Sequence, residues 1–265
     1  MMTTEETAAP LPGLNDVTDA QWAALAQRQI FFGHQSVGGN IMQGVAEVLS
    51  GNPRVRLNVV ESRALGDSAQ PAFRHALVGR NDFPIEKFDD FTEIASTGFG
   101  PDGGVAMLKL CYIDIHTHTD AEDLFAQYQR RVAELRSTNP ALTIVHFTSP
   151  LTTIENWKGQ LRARLTGNNT QRDRNVVRHR YNELMRRAYE GREPLFDIAR
   201  LEARLPDGRS VFYRAGSEHV PLLAPAYTDD GGHLNAQARR MVAEQLLIML
   251  ARLEPPRSTI AAKGS

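Results

Sequence analysis

The sequence predicts an α/β protein in which a parallel sheet is covered by helices on both faces. Three observations lead to it. Short apolar runs alternate with segments of helical period along most of the chain. At 265 residues with 42% hydrophobic residues, the chain is long enough to bury one sizeable core. No internal repeat, low-complexity tract or composition break marks a second domain. The expected organisation is a loosely ordered tail over residues 1–17, one domain over 18–254 and a loose end over 255–265.

The domain begins at Thr18, an N-cap candidate, with Trp22, Leu25 and Ala26 at helical spacing behind it. "IFFG" (30–33) reads as a buried strand, and the helix after it gathers Ile41, Met42, Val45, Val48 and Leu49 on one face. "VRLNVV" (55–60) alternates as a second strand. A long loop then leads to a helix opened by Pro84, whose fixed φ and missing N–H suit a first turn. "VAMLKLCYIDI" (105–115) is the third strand. Thr119 followed by Glu122 forms a capping-box pattern for the next helix, which Asn139-Pro140 ends. "ALTIVHFTSP" (141–150) is strand four. Residues 157–190 are helical in pattern and rich in arginine, "LFDI" (195–198) is a short strand five, and an amphipathic helix capped by Asn235 closes the domain. A mostly parallel sheet of five strands is therefore expected.

The charge balance narrows the partners. Lys+Arg 30 against Asp+Glu 31 leaves a net charge of -1, so no global field recruits nucleic acid or an anionic membrane. The lone cysteine, Cys111, excludes an internal disulfide and a cysteine-rich zinc site. The N-terminus lacks the basic start and apolar stretch of a secretory signal, and no run approaches the ~20 apolar residues of a membrane span. A soluble, cytoplasmic protein acting on a small partner is the expectation.

In sheets of this kind functional residues collect on loops at the carboxyl ends of strands. The first such loop offers Ser36; the last, "DDGGHLN", offers Asp230 and His233. The ordinary use of a serine at a helix start is an N-cap. A nucleophilic serine needs more: a neighbouring base, and a carboxylate to fix that base's tautomer and stabilise its imidazolium. His233 and Asp230 are the right types, at a D-x-x-H spacing that one short turn can present. Amides at the helix start after Ser36 would favour a developing oxyanion.

A serine after the first strand, a glycine after the second, a polar loop after the third and the tail Asp230-Gly231-Gly232-His233-Leu234 together resemble the SGNH, or GDSL-type, hydrolase family. "ALTIVHFTSPL" after an "NP" turn resembles that family's fourth strand, and the likeness runs from Ile30 to about Leu250. The serine block reads "GHQS" where the family has "GDS". The resemblance implies a three-layer α/β/α, flavodoxin-like fold and an ester- or acetyl-cleaving activity without cofactor or metal. It also implies Ser36 as nucleophile, His233 as general base and Asp230 as its orienting partner. For the oxyanion hole it implies Gly79, after strand two. The family's asparagine after strand three has no counterpart in "CYID", and Asn81 is the candidate substitute. The implied substrate is a small-molecule or carbohydrate ester.

Several patterns compete. Literal "GDS" (66–68) and "GRND" (79–82) would make Ser68 the nucleophile, but Ser68 and Asn81 stand too close for the ~30 residues of an intervening strand-helix-strand unit. Asp114, His116 and His118 in "DIHTH" resemble a first metal motif of amidohydrolase and PHP-type phosphoesterases, since imidazoles at i and i+2 of an extended segment point the same way. The chain after His118 is too short for a barrel of ~250 residues, and a polar turn into the next helix is the simpler reading. "RDRNVVRHRYNELMRR" reads as an amphipathic helix with a basic solvent face rather than an RNA-binding one. His34 and Gln35 are expected to order the loop by hydrogen bonding, His146 to be a satisfied strand histidine and Cys111 a small buried hydrophobe. Two alternatives to the serine hydrolase stay open: a metal-dependent hydrolase at Asp114, His116 and His118, and a non-catalytic binding module on the same fold.

Overall fold

The computed structural model describes residues 2–5, 9–65, 70–155, 157–166 and 169–254. Along the chain it runs β1 (Met2–Glu5), α1 (Asp19–Ala26), β2 (Gln29–His34), α2 (Val37–Gly51), β3 (Val59–Glu61), β4 (Ala72–Leu77), α3 (Pro84–Gly98), β5 (Gly104–Leu108), α4 (Ala121–Thr138), β6 (Leu142–Phe147), α5 (Trp157–Thr166), α6 (Gln171–Tyr189), β7 (Leu195–Phe196), α7 (Ile198–Ala203), β8 (Ser210–Ala215), β9 (Glu218–Pro221) and α8 (Ala236–Ala251). The main sheet has six strands in the order β3-β4-β2-β5-β6-β7, and every pairing in it is parallel.

Side chains on alternate positions of each central strand enter different cores. Ile30 and Phe32 of β2, Val105 and Met107 of β5, and Val145 and Phe147 of β6 pack with α1, α2, α7 and α8. Phe31, Ala106, Leu108 and Ile144 pack with α3, α4 and α6. This two-sided burial is why the strands read as continuous apolar runs rather than as an alternating pattern. Fully burying one such side chain stabilises the fold by about 1.5–3 kcal/mol. α2 and α8 cross closely at Gly44, where a Cβ would lie 2.3 Å from the Arg239 carbonyl oxygen. The result is the α/β/α layering the sequence predicts, with the ends of β2, β4, β5 and β6 opening on one edge.

The differences have local causes. β4, "AFRHAL", lies in the expected long loop because Arg74 and His75 interrupt its apolar run. Arg74 is matched by Gln29 Oε1 at 2.7 Å and His75 by His34 at 3.0 Å. Of 55–60 only the last two residues enter a strand. β5 ends at Leu108 rather than at residue 115, since Asp114 accepts from the Cys111 amide at 2.6 Å and folds the chain into a 3₁₀ turn. The cap of α4 is Asp120, whose side chain accepts from the Asp123 amide, while Thr119 Oγ1 accepts from His116 N. The helical stretch 157–190 is two helices, the second started by Thr170 in a capping box with Asp173. β8 and β9 form an unforeseen hairpin that builds a small antiparallel sheet with β1. Residues 1–17, read above as a tail, thus include a paired strand, and Val17 is buried. Residues 255–265 lie outside the described residues. Among those described, no helix is long and apolar enough to cross a membrane.

Candidate active site

Two residues, Gln35 and Ser36, connect β2 to α2. Ser36 occupies the N-cap position of α2 with φ 48 and ψ -107 and makes no side-chain cap bond. A non-glycine residue held at positive φ costs about 1–3 kcal/mol and persists where surrounding structure enforces it. The hydroxyl that could have capped the helix lies instead 2.7 Å from His233 Nε2. Gly38, two residues on, is required by packing: a Cβ there would stand 2.3 Å from that of His34.

The partner loop precedes α8, which Asn235 caps through a bond from Ala238 N at 3.1 Å. Asp230 Oδ2 lies 2.6 Å from His233 Nδ1. Its other oxygen, Oδ1, accepts from the amides of His233 at 2.8 Å and Gly232 at 2.9 Å. Burial pushes this carboxyl upward, but the two amides and the imidazole outweigh it and hold the group well below the usual carboxylate range. The ionised carboxylate accepts a hydrogen bond from His233 Nδ1–H, leaving Nε2 as an acceptor facing Ser36. Gly231 has φ +93, where a side chain is strained, and a Cβ on Gly232 would lie 2.8 Å from Tyr112 Cζ, so the Tyr112 ring would have to move to admit one. Tyr112 also meets the His233 ring edge-on, at 5.8 Å between centroids. The site is open, with the His233 and Asp230 side chains 42% and 56% exposed.

Gly79 and Asn81, the two residues expected at the oxyanion hole, differ in what they leave available to donate. Gly79 does need to be glycine: its φ is +53, and a Cβ would lie 2.6 Å from Lys87 N. Its amide, however, donates to Asp90 Oδ2 at 2.7 Å, so it is not free to bind an oxyanion. Asn81 accepts from Lys87 Nζ at 2.9 Å through Oδ1, and its NH₂ has no acceptor among the described residues. The Ser36 amide itself has no acceptor among the described residues.

The "DIHTH" segment is not assembled as a metal centre. Asp114 is fully buried and receives Lys87 Nζ on both oxygens, at 2.8 and 2.6 Å, together with the amides of Asp82 and Cys111. His116 pairs with Asp82 at 3.0 Å and stacks on His118. Among the described residues no group of three or more His, Cys, Asp and Glu is arranged to hold a metal ion. Ser68 lies outside the described residues.

Other residues near the site escape a motif search. Arg178 does not lie on the basic solvent face expected of its helix. It is fully buried, donating to the Tyr112 carbonyl at 2.8 Å, Thr152 Oγ1 at 3.0 Å and Asn175 Oδ1 at 2.7 Å, and burial pushes its guanidinium down to about 10. Asn175, Arg178 and Asn182 fall at i, i+3 and i+7 of α6 on the stripe that also carries Tyr181 and Met185; that spacing is the signal available in the sequence. His34 is buried, with Nε2 3.0 Å from His75 Nδ1; burial foremost, then Lys109 and His75, lower it to about 3. His146 is satisfied by the Tyr128 hydroxyl at 2.6 Å and Glu193 at 3.0 Å.

No protein-family model and no curated protein matches the chain. Similar solved structures include a member of the lipolytic protein G-D-S-L family from Veillonella parvula, 16% identical, with a TM-score of 0.44 over 84% of this chain and 98% of that one. A carbohydrate esterase family 3 protein from Talaromyces cellulolyticus is 13% identical, with a TM-score of 0.47 over 84% and 96% of the two chains. An acetyl esterase mutant with acetate ion is 12% identical, with a TM-score of 0.48 over 84% and 96%.

Proposed function

We propose that the protein is a serine-dependent ester hydrolase acting on a small-molecule or carbohydrate ester. One observation carries the reading: an unbroken line of short contacts from Ser36 Oγ through the His233 ring to Asp230. Ser36 Oγ attacks the ester carbonyl carbon while His233 Nε2 takes its proton. The tetrahedral intermediate collapses as His233 returns that proton to the leaving alcohol oxygen, leaving an acyl-serine. Water then attacks the acyl carbon with His233 again as base, and the acid departs from the regenerated hydroxyl. Asp230 fixes the imidazole and stabilises its cationic form throughout. The Ser36 amide, at the positive end of α2, and the Asn81 NH₂ are the donors we assign to the oxyanion.

The metal-dependent alternative loses ground because the Asp114 carboxylate is already spent on Lys87 and two amides. Turnover of p-nitrophenyl esters of two- to eight-carbon acids and of acetylated sugars tests the proposal. Hydrolysis that Ser36→Ala abolishes is the expected result. Hydrolysis that survives Ser36→Ala and is stopped by a chelator overturns it in favour of metal chemistry. Binding of these esters without any turnover overturns it in favour of a binding module.

A further inference from the structure

The strained backbone of Ser36 raises the question of what enforces it, because Ser36 itself contributes no cap bond. The restraints sit on the residue before it. The Gln35 carbonyl accepts from the Gly38 amide at 2.9 Å and from the Cys111 thiol at 3.2 Å. The Cys111 sulfur in turn receives the buried Lys109 ammonium at 3.5 Å, which directs the thiol hydrogen toward Gln35. At the other end of the residue, Gln35 Nε2 donates to the carbonyls of Gly79 at 2.9 Å and Val78 at 3.3 Å. One half-buried side chain and its carbonyl thus tie the connection after β2 to α2, to the loop after β4 and to the chain leaving β5.

We propose that Gln35 is a positioning residue that holds the Ser36 hydroxyl in line with His233. This rests on the reading of Ser36 as nucleophile. The chemistry demands an amide: both side-chain partners are carbonyl oxygens, so the residue must donate, and a carboxylate of the same shape would face two acceptors with nothing to give. A shorter side chain would not span the gap between the elbow and the 78–79 segment. The same two bonds fix the loop that carries Asn81, so nucleophile and proposed oxyanion donor are set by one residue. A misplacement of about 1 Å at a reacting atom can cost about a hundredfold in rate, whereas substrate contacts elsewhere are untouched.

Gln35→Glu and Gln35→Met test this, with kcat, KM, fluorophosphonate labelling rate and melting temperature measured for each. The expected result is a fall in kcat and in labelling rate of about tenfold or more, with KM within about twofold and the melting temperature within about 3 °C of wild type. Wild-type kcat in both variants overturns the proposal. So does a loss of kcat that follows a matching loss of melting temperature, which would mark a role in folding alone. Ser36→Ala is assayed beside them: full turnover there overturns the reading of Ser36, whereas its loss with unimpaired Gln35 variants overturns only the role of Gln35.

Discussion

Two segments of this chain place an aspartate within four residues of a histidine at the same edge of the sheet, and they end in opposite states. Asp114 is sealed from solvent and consumed by Lys87 and two amides, so neither His116 nor His118 receives its carboxylate. Asp230 gives one oxygen to the amides of its own turn and keeps the other for the His233 ring. Residue type alone does not separate these outcomes. What separates them is a cation: α3 delivers Lys87 to Asp114, and among the described residues no lysine or arginine side chain is bonded to Asp230. An acid–imidazole pair becomes usable for catalysis when nothing stronger claims the acid.

That contrast can be broken most forcefully at the open site. Ser36→Ala is expected to lower kcat on a responsive ester by between about ten thousand- and a millionfold, read in steady-state assays. Asp230→Asn should cost about a thousand- to ten thousandfold, because the amide no longer selects the Nδ1-protonated imidazole; unchanged turnover would remove Asp230 from the site. At the closed segment the larger effect falls on stability. Asp114→Ala strands the buried Lys87 ammonium and is expected to cost about 3–5 kcal/mol, seen as a drop in melting temperature of roughly 10 °C.

A third carboxylate sharpens the comparison through pH. Glu202 is fully buried, accepts from Leu151 N at 2.6 Å through one oxygen and has no partner on the other among the described residues. Burial raises it to about 8 from 4.5. Between those values the folded protein keeps a proton that the unfolded chain has lost, so this group removes stability as pH rises through that window. His34 and His146 act in the other direction: burial lowers them to about 3 and about 4 from 6.5, so the unfolded chain takes up their protons first and stability falls as pH drops below about 6.5. Melting curves across pH should therefore show losses on both sides, and Glu202→Gln should flatten the alkaline side while steepening the acid-side loss between about 4.5 and 6.5, where its effect opposes that of the histidines. The smallest effect is expected at the half-buried His116 and the exposed His118. His116→Ala with His118→Ala should leave kcat within about twofold and stability within about 1 kcal/mol.

Much of this was legible in the sequence where a local rule and tertiary packing agree. The apolar runs at 30–33 and 142–147, Pro84 at a helix start and Asn235 at a cap all fall where one short-range preference decides the conformation. β4 was hidden because its polar residues are matched by partners distant in sequence, Gln29 and His34. The hairpin of β8 and β9 had a signal, the Gly216-Ser217 turn with Gly216 at φ +63, but its strands are short and lie outside the main sheet. At the candidate site, residue types pointed to Ser36, His233 and Asp230. The loss of the Gly79 amide to Asp90, and the inward turn of Arg178, depend on side-chain partners that no spacing rule supplies.

Labelling with a fluorophosphonate, followed by peptide mapping in a mass spectrometer, tests most directly whether the open acid–imidazole pair activates a serine. An adduct on Ser36 is expected in the wild type and in the His116→Ala, His118→Ala variant, and its disappearance in His233→Ala. An adduct on another serine, or undiminished labelling of Ser36 without His233, would contradict that activation.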